Sequence, residues 1–221
     1  MIAENIAKLK EELGEEVQLV AVSKTKPVPL LKEAYDAGQL HLGENRIQEM
    51  TDKHAELPED IKWHMIGHVQ GNKIKFMAPF VHMVHGMDKP KRFKELEKEA
   101  AKNERTIDCL LQVHIAEEDS KFGFSYSEAE QFLQDDIAQK FPHVRLRGLM
   151  GMATFTENKQ QVEREFKGLQ QFYEQVQKQF PHAGTIDTLS MGMSGDYKIA
   201  LACGSNMVRI GSAIFGARTQ G

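Results

Sequence analysis

Residues 17–38 read VQLVAVSKTKPVPLLKEAYDAG and contain two different periodicities in succession. Residues 17–23 are apolar and rich in β-branched side chains, which predicts a strand. After Pro27, apolar residues recur at helical spacing as far as Tyr35, and Gly38 closes the segment. A proline at the start and a glycine just past the end are typical of a helix. The stretch is therefore one β-then-α unit.

The same alternation continues to the end of the chain. An extra N-terminal helix is predicted over residues 3–13, where apolar side chains recur three or four positions apart before Gly14. Alternating elements favour a parallel sheet, and eight such units fit an α/β fold of the (β/α)8 TIM barrel type better than an open doubly wound sheet, which stays possible. We expect a single domain over residues 1–221. The later strands are predicted near residues 40–43, 63–67, 81–86, 108–115, 144–152, 188–193 and 207–215, with helices near 47, 72–78, 90–102, 127–140, 160–180 and 195–203.

Composition and charge exclude several classes of protein. The 28 Lys and Arg residues nearly balance 32 Asp and Glu residues, and the net charge of −4 offers no broad basic surface to nucleic acid or anionic lipid. Cys109 and Cys203 form no C-x-x-C pair, which favours a reducing compartment. The N-terminus turns charged before any apolar leader develops, and no apolar run is long enough for a membrane span. We therefore expect a cytoplasmic protein.

Lys24 follows the first predicted strand, at the edge of a parallel barrel where active sites lie. Limited access of water there disfavours the ammonium form. Such a lysine can form a Schiff base with a carbonyl compound, although it can equally extend into water or pair with a carboxylate. Lys26 directly precedes Pro27, so we expect it in the loop. Lys24 is the candidate reactive amine.

The junctions after the seventh and eighth predicted strands are rich in glycine and serine. Ser194, Gly211 and Ser212 lie in these turns, where backbone N–H groups and hydroxyls can approach an anion. This part of a barrel is a common phosphate site. The alternative is structural: Ser194 caps the following helix and Asp196 complements its dipole. Neither a P-loop nor a G-x-S-x-G elbow is present.

Arg209 and Asn45 are further candidates with structural alternatives. Arg209 interrupts an apolar strand, so its guanidinium is expected inside the barrel, paired with a carboxylate such as Glu44 or with a ligand. Asn45 follows the second strand, and with Gln48 three positions later it resembles a capping box. Both residues are therefore candidates for binding or for structure.

The histidine spacings do not indicate a metal site. His64 and His68 are four positions apart, and His82 and His85 are three apart. His64 lies in a predicted strand, where a spacing of four does not place two side chains as it does on a helix, and no H-E-x-x-H occurs. We expect no metal.

The motifs at these junctions, taken together, resemble the family of pyridoxal phosphate homeostasis proteins, the YggS/PROSC group. The likeness extends over nearly the whole chain, and an ordered series of motifs is far more specific than any one of them. The matching segments are residues 21–25 (AVSKT), 43–45 (GEN), 63–67 (WHMIG), 148–150 (GLM), 189–194 (LSMGMS) and 207–211 (MVRIG).

The resemblance implies roles for particular residues. It implies a barrel like the N-terminal domain of alanine racemase, with pyridoxal 5′-phosphate (PLP) held as a Schiff base on the lysine that matches Lys24. Ser194 would hold the phosphate together with two residues of the last turn, Gly211 and Ser212. The family usually has threonine where this chain has Ser212, a change that keeps the hydroxyl.

Two further residues complete the implied cofactor site. Arg209 would face the pyridine nitrogen, and Asn45 would approach the ring. An arginine at that nitrogen keeps it unprotonated, which weakens PLP as an electron sink. Lys198, close after Ser194, departs from the family pattern and would alter the affinity for phosphate.

The resemblance therefore implies a protein of intracellular PLP homeostasis rather than an enzyme. The chain shows no counterpart of the second domain of alanine racemase, whose tyrosine serves as a base. The expected protein is a monomer with no catalytic residues, and PLP-dependent apo-enzymes are candidate recipients of its cofactor. Two alternatives stay open: a racemase-like PLP-dependent enzyme acting on amino acids, and a barrel aldolase that uses Lys24 on a phosphorylated sugar without PLP.

Overall fold

A computed structural model describes residues 1–118 and 122–216, and within them eight parallel strands close into a barrel. Each strand pairs with the next along the chain, and the last pairs with the first. The predicted (β/α)8 architecture is confirmed. The strands are β1 (Gln18–Val22), β2 (His41–Glu44), β3 (Lys62–Met65), β4 (Met83–Met87), β5 (Ile107–Gln112), β6 (Val144–Met150), β7 (Thr188–Met193) and β8 (Met207–Ile210).

Helices follow the strands and cover the outside of the barrel. The predicted N-terminal helix is present as α1, and its apolar face packs on α2 and α10. In the described part of the chain, no helix is both long and apolar enough to cross a membrane. The helices are α1 (Ile2–Leu13), α2 (Val28–Asp36), α3 (Ile47–His54), α4 (Ile74–Met77), α5 (Pro90–Lys102), α6 (Tyr126–Leu133), α7 (Ile137–Lys140), α8 (Lys159–Gln179), α9 (Tyr197–Ala202) and α10 (Ser212–Phe215).

Two predicted elements differ from the structure. The helix expected over residues 127–140 is divided into α6 and α7, because Ser125 caps the first and the side chain of Asp136 caps the second. The strand expected over residues 207–215 ends at Ile210, and α10 follows it. Pairing with β1 stops at that residue, so an apolar run that reads as one strand contains a strand and a helical turn.

The core has two layers, as expected of a barrel with a packed interior. Outward-facing strand residues such as Trp63 pack against the helices in one large cluster. A smaller apolar cluster lies inside the barrel and includes Val20, Met83 and Leu110. Strand positions that face the barrel interior also carry buried polar side chains.

Candidate functional site

A cavity of about 570 Å³ lies at the carboxyl ends of the strands. This volume is within the usual range for small-molecule sites, about 300–1,000 Å³. Ile66 and Met152 supply apolar wall, and six residues singled out from the sequence supply polar groups. These six are Lys24, Asn45, Ser194, Arg209, Gly211 and Ser212. The structure therefore brings all six candidate site residues to one cavity.

Lys24 lies in a tight turn directly after β1 and is partly buried. The turn is closed by a hydrogen bond from the Lys26 N–H to the carbonyl of Ser23, 3.0 Å long. Thr25 has a φ of 63°, in the left-handed region that non-glycine residues seldom adopt. Its N–H donates to Glu49 at 2.6 Å, which helps to hold the turn. These hydrogen bonds fix the backbone around Lys24, which lines the cavity.

Lys26 lies in the loop, as predicted, and it lines the same cavity. Its Nζ donates to the carbonyl oxygens of Phe215 and Gly216, at 3.2 and 3.1 Å. These hydrogen bonds connect the loop after β1 to the C-terminal end of α10. Both lysines therefore contribute to the wall of the cavity.

A buried ion pair between Lys53 and Glu44 stabilises the turn that contains Lys24. Lys53 of α3 donates to Glu44 at 2.8 Å, to Glu49 at 2.7 Å and to the carbonyl of Ser23 at 2.9 Å. The hydroxyl of Ser23 donates to the same Glu44 oxygen at 2.6 Å. Burial raises the pKa of Glu44, and the ammonium of Lys53 opposes that rise. Of the two partners considered for Arg209, the carboxylate of Glu44 is therefore the wrong one, because Glu44 pairs with Lys53.

Ser194 joins the two glycine-rich turns. Its Oγ accepts a hydrogen bond from the N–H of Gly211 at 3.2 Å. The structural alternative for this serine is wrong: α9 begins at Tyr197, and the residue before it is Asp196. The carboxylate of Asp196 instead accepts from the N–H of Met193 at 2.6 Å. A side chain on Gly211 would meet the carbonyl oxygen of Val22 at 2.9 Å, so this turn requires a glycine.

Asn45 follows β2 directly and lines the cavity. The capping alternative is wrong here too, because Arg46 precedes α3 and makes no side-chain capping bond. A Cβ on Gly67 would lie 2.3 Å from the backbone oxygen of Asn45. The loop after β3 therefore packs so closely on the backbone of Asn45 that only a glycine fits at position 67. This contact fixes the backbone position from which the Asn45 side chain extends.

Arg209 points into the barrel, as its sequence context predicts. Its guanidinium donates to Ser190, at 3.0 Å to the carbonyl and 2.5 Å to Oγ, and to the carbonyl of Gly151 at 3.1 Å. Burial lowers the pKa of Arg209 to about 10, so the side chain stays protonated at neutral pH. These bonds use three of its five N–H donors. Arg209 is therefore a fixed cation in the wall of the cavity.

A chain of hydrogen-bonded side chains runs from Arg209 down the inside of the barrel. Ser190 Oγ lies 3.2 Å from His85 Nδ1, and His85 Nε2 lies 2.8 Å from His64 Nδ1. His64 Nε2 in turn lies 2.9 Å from His41 Nδ1. Burial lowers the pKa of each of these imidazoles. The histidine spacings in the sequence do not predict this chain, although the two-residue period of β3 and β4 could have shown that His64 and His85 face the barrel interior.

The sequence as a whole matches known proteins. Residues 1–219 match the family described as the alanine racemase N-terminal domain. A protein of Vibrio alginolyticus named pyridoxal phosphate homeostasis protein is 42% identical over 92% of this chain and 88% of its own length. A protein of Escherichia coli K12 with the same name is 36% identical, over 98% of this chain and 97% of its own.

Solved structures agree with the sequence matches. PipY of Synechococcus elongatus, in a structure described as having PLP bound, is 33% identical with a TM-score of 0.86, over 98% of this chain and 100% of PipY. Alanine racemase of Bartonella henselae is 15% identical with a TM-score of 0.74, over 98% of this chain and 58% of the racemase, and it supports the fold alone. The chain belongs to the family of pyridoxal phosphate homeostasis proteins, whose barrel is that of the alanine racemase N-terminal domain.

Proposed function

We propose that this protein binds PLP in the cavity at the carboxyl ends of the strands and serves in its intracellular homeostasis. One observation carries the proposal: a lysine, a buried arginine and a serine-glycine turn converge on one cavity from separate strand ends. PLP carries an aldehyde, a pyridine nitrogen and a phosphate, and each has a chemically suitable partner in this set. That several relatives are named for PLP homeostasis supports the same function.

The donor set fits the cofactor group by group. The phosphate needs hydrogen-bond donors, which Ser194, Ser212 and the backbone beside Gly211 offer on one wall. The ring needs an apolar surface, which Ile66 and Met152 provide. The cavity is therefore suited to a flat aromatic phosphate.

Each binding residue has a defined task in this proposal. Lys24 offers the amine that binds the aldehyde, and the two glycine-rich turns hold the phosphate. Bound PLP supplies an aldehyde that condenses with an amine, with loss of water, and a ring that can accept electrons. Arg209 stays protonated and donates toward the ring nitrogen, so that nitrogen accepts a hydrogen bond rather than a proton. An unprotonated ring is a poor electron sink, which favours storage or delivery over catalysis.

The proposal includes a carrier role with little turnover, in a cytoplasmic monomer that passes PLP to PLP-dependent apo-enzymes. The protein loaded with PLP is incubated with single L-amino acids, and their loss and racemisation are followed by chiral chromatography. We expect rates no higher than those of free PLP. Turnover above that background would favour the racemase-like alternative.

The cofactor assignment is tested by titrating the purified protein with PLP. We expect a visible absorption band that saturates at one equivalent per chain. Borohydride reduction followed by peptide mass mapping should then place a single adduct on Lys24. If no band forms, or if the adduct scatters over surface lysines, the PLP proposal fails and the aldolase alternative gains support.

Ser194→Ala is expected to weaken PLP binding about tenfold to a hundredfold. The variant removes one hydroxyl that binds the phosphate, and a hydrogen bond to a charged group contributes roughly 1.5–3 kcal/mol. It also removes the acceptor of the Gly211 N–H. Fluorescence titration with PLP measures the change. Ser125→Ala, at the residue that caps α6 and does not line the cavity, is the matched control and should bind PLP as the wild type does.

A further inference from the structure

The side chains of three histidines meet inside the barrel toward the amino ends of β2 and β4, away from the PLP cavity. His41 begins β2, His64 lies within β3, and His82 directly precedes β4. One ring nitrogen of each lies within 4.8 Å of a ring nitrogen of the other two. Along the chain, the pairs His64–His68 and His82–His85 lack the spacing of metal ligands. Barrel closure instead groups histidines that belong to β2, to β3 and to the residue before β4.

The three rings already have the spacing of a metal site. Their centroids are 5.1 Å apart for His41 and His64, 5.6 Å for His41 and His82, and 5.3 Å for His64 and His82. A tetrahedral ion bound by imidazoles at about 2.0–2.1 Å separates the ring centroids by about 5.2 Å. The observed ring spacing therefore matches that of three imidazoles around one ion, with the rings rotated so that their nitrogens point at it.

We propose that His41, His64 and His82 bind one divalent transition-metal ion, with Zn²⁺ as the expected occupant. The site offers three imidazole nitrogens and leaves the fourth tetrahedral position to water. Imidazole suits Zn²⁺, Cu²⁺ and Ni²⁺, whereas Mg²⁺ and Ca²⁺ require oxygen ligands. This site is separate from the PLP cavity, and the proposal does not depend on PLP binding.

The charged groups around the cluster oppose an ion that is held by charge alone. Among the described residues, Asp108 is the carboxylate that acts on His82, while the other charged groups that act on these rings are cations. The cations are Lys10, Lys62, Arg105 and Arg147. An ion held only by charge is repelled by such surroundings, so binding requires the directional bonds that imidazole nitrogens form with transition metals.

The hydrogen-bonded chain above the cluster can orient its buried ligand. A ligand histidine commonly donates its other N–H to a fixed acceptor. When His64 Nε2 binds the ion, its Nδ1–H donates to His85 Nε2, and His85 Nδ1–H donates to Ser190 Oγ. The contact between His64 Nε2 and His41 Nδ1 is then replaced by bonds from both rings to the ion.

An entry path also reaches the cluster. His41 and His82 are partly exposed, and His41 lines a groove of about 580 Å³ beside the end of α1. A bound ion would connect three adjacent strands, β2, β3 and β4, near the barrel face that contributes to stability rather than to catalysis. We therefore expect the ion to stabilise the folded chain.

The test uses the full chain, purified without a polyhistidine tag and treated with EDTA. Zn²⁺ binding is measured by calorimetry and Co²⁺ binding by visible absorption, at neutral pH. We expect one equivalent of either ion and the intense visible bands of tetrahedral Co²⁺. At a Zn²⁺ concentration a hundredfold above the dissociation constant, Tm should rise by roughly 5–10 °C.

The decisive variant is His41→Ala/His82→Ala, which leaves the buried His64 in place. His143→Ala removes a histidine that pairs with Glu97 outside the cluster and serves as the matched control. Circular dichroism in EDTA verifies that both variants fold. Loss of stoichiometric binding in the double variant alone supports the site. Absence of binding in the wild type, or its retention in the folded double variant, overturns the proposal. If the double variant does not fold, the single variants His41→Ala and His82→Ala are judged by the same criteria.

Discussion

Lys24→Ala is expected to abolish the PLP absorption band and the borohydride-stable adduct. The band requires a primary amine held at the cavity, and the turn after β1 presents Lys24 there. Alanine retains the backbone and removes the amine. Titration with PLP followed by reduction and mass mapping compares the variant with the wild type, and we expect the band to fall to background.

Two control variants make this result specific. Lys26→Ala removes the other lysine in the cavity wall and should retain the band, although it loses the bonds to Phe215 and Gly216. Lys32→Ala removes an exposed lysine of α2 that lies outside the cavity, and it should behave as the wild type. A band that survives in Lys24→Ala but disappears in Lys26→Ala would transfer the role to Lys26.

Lys53→Met is expected to lower the free energy of unfolding by about 3–5 kcal/mol, because it leaves a buried carboxylate without its cation. The side chain of Glu44 is fully buried and that of Lys53 is 8% exposed. In a chain of this size, the loss corresponds to a fall in Tm of roughly 6–20 °C. Urea denaturation followed by circular dichroism measures it.

The same variant should also weaken PLP binding, because Lys53 holds the backbone of Ser23 beside Lys24. Lys32→Met is the matched control: its exposed pair with Asp36 contributes little, and we expect a change within about 0.5 kcal/mol. Glu44→Gln/Lys53→Met should recover part of the stability, because the buried group is then uncharged. A Lys53→Met protein as stable as the wild type would show that the pair is not supporting this loop.

The sequence alone predicts that the candidate site residues lie together at one edge of the barrel. Lys24, Asn45 and Ser194 were identified from their positions at strand ends, and in a parallel barrel all such ends meet at one edge. The resemblance to a family then supplied a role for each of them. The local alternatives of helix capping failed at Asn45 and Ser194, because α3 and α9 begin further along the chain than the polar residues suggest.

The pairing of buried charges was not predictable in the same way. The sequence leaves two partners open for Arg209, a carboxylate such as Glu44 or a ligand, and in the structure Arg209 and Glu44 have other partners: backbone and hydroxyl oxygens for the arginine, and Lys53 of α3 for the glutamate. Lys53 lies on a helix of ordinary composition, where a lysine normally faces water. Its burial depends on how α3 packs over the turn after β1.

What the sequence by itself determined is the alternation of strands and helices, the barrel and the strand ends that carry polar residues. These follow from local periodicity and turn chemistry, which act over a few residues at a time. The tertiary structure alone decided which side chains meet across the barrel: the Lys53–Glu44 pair, the chain from Arg209 to His41 and the cluster that adds His82. Such contacts depend on barrel closure and on the register between strands distant in sequence, and neither is encoded in any one segment.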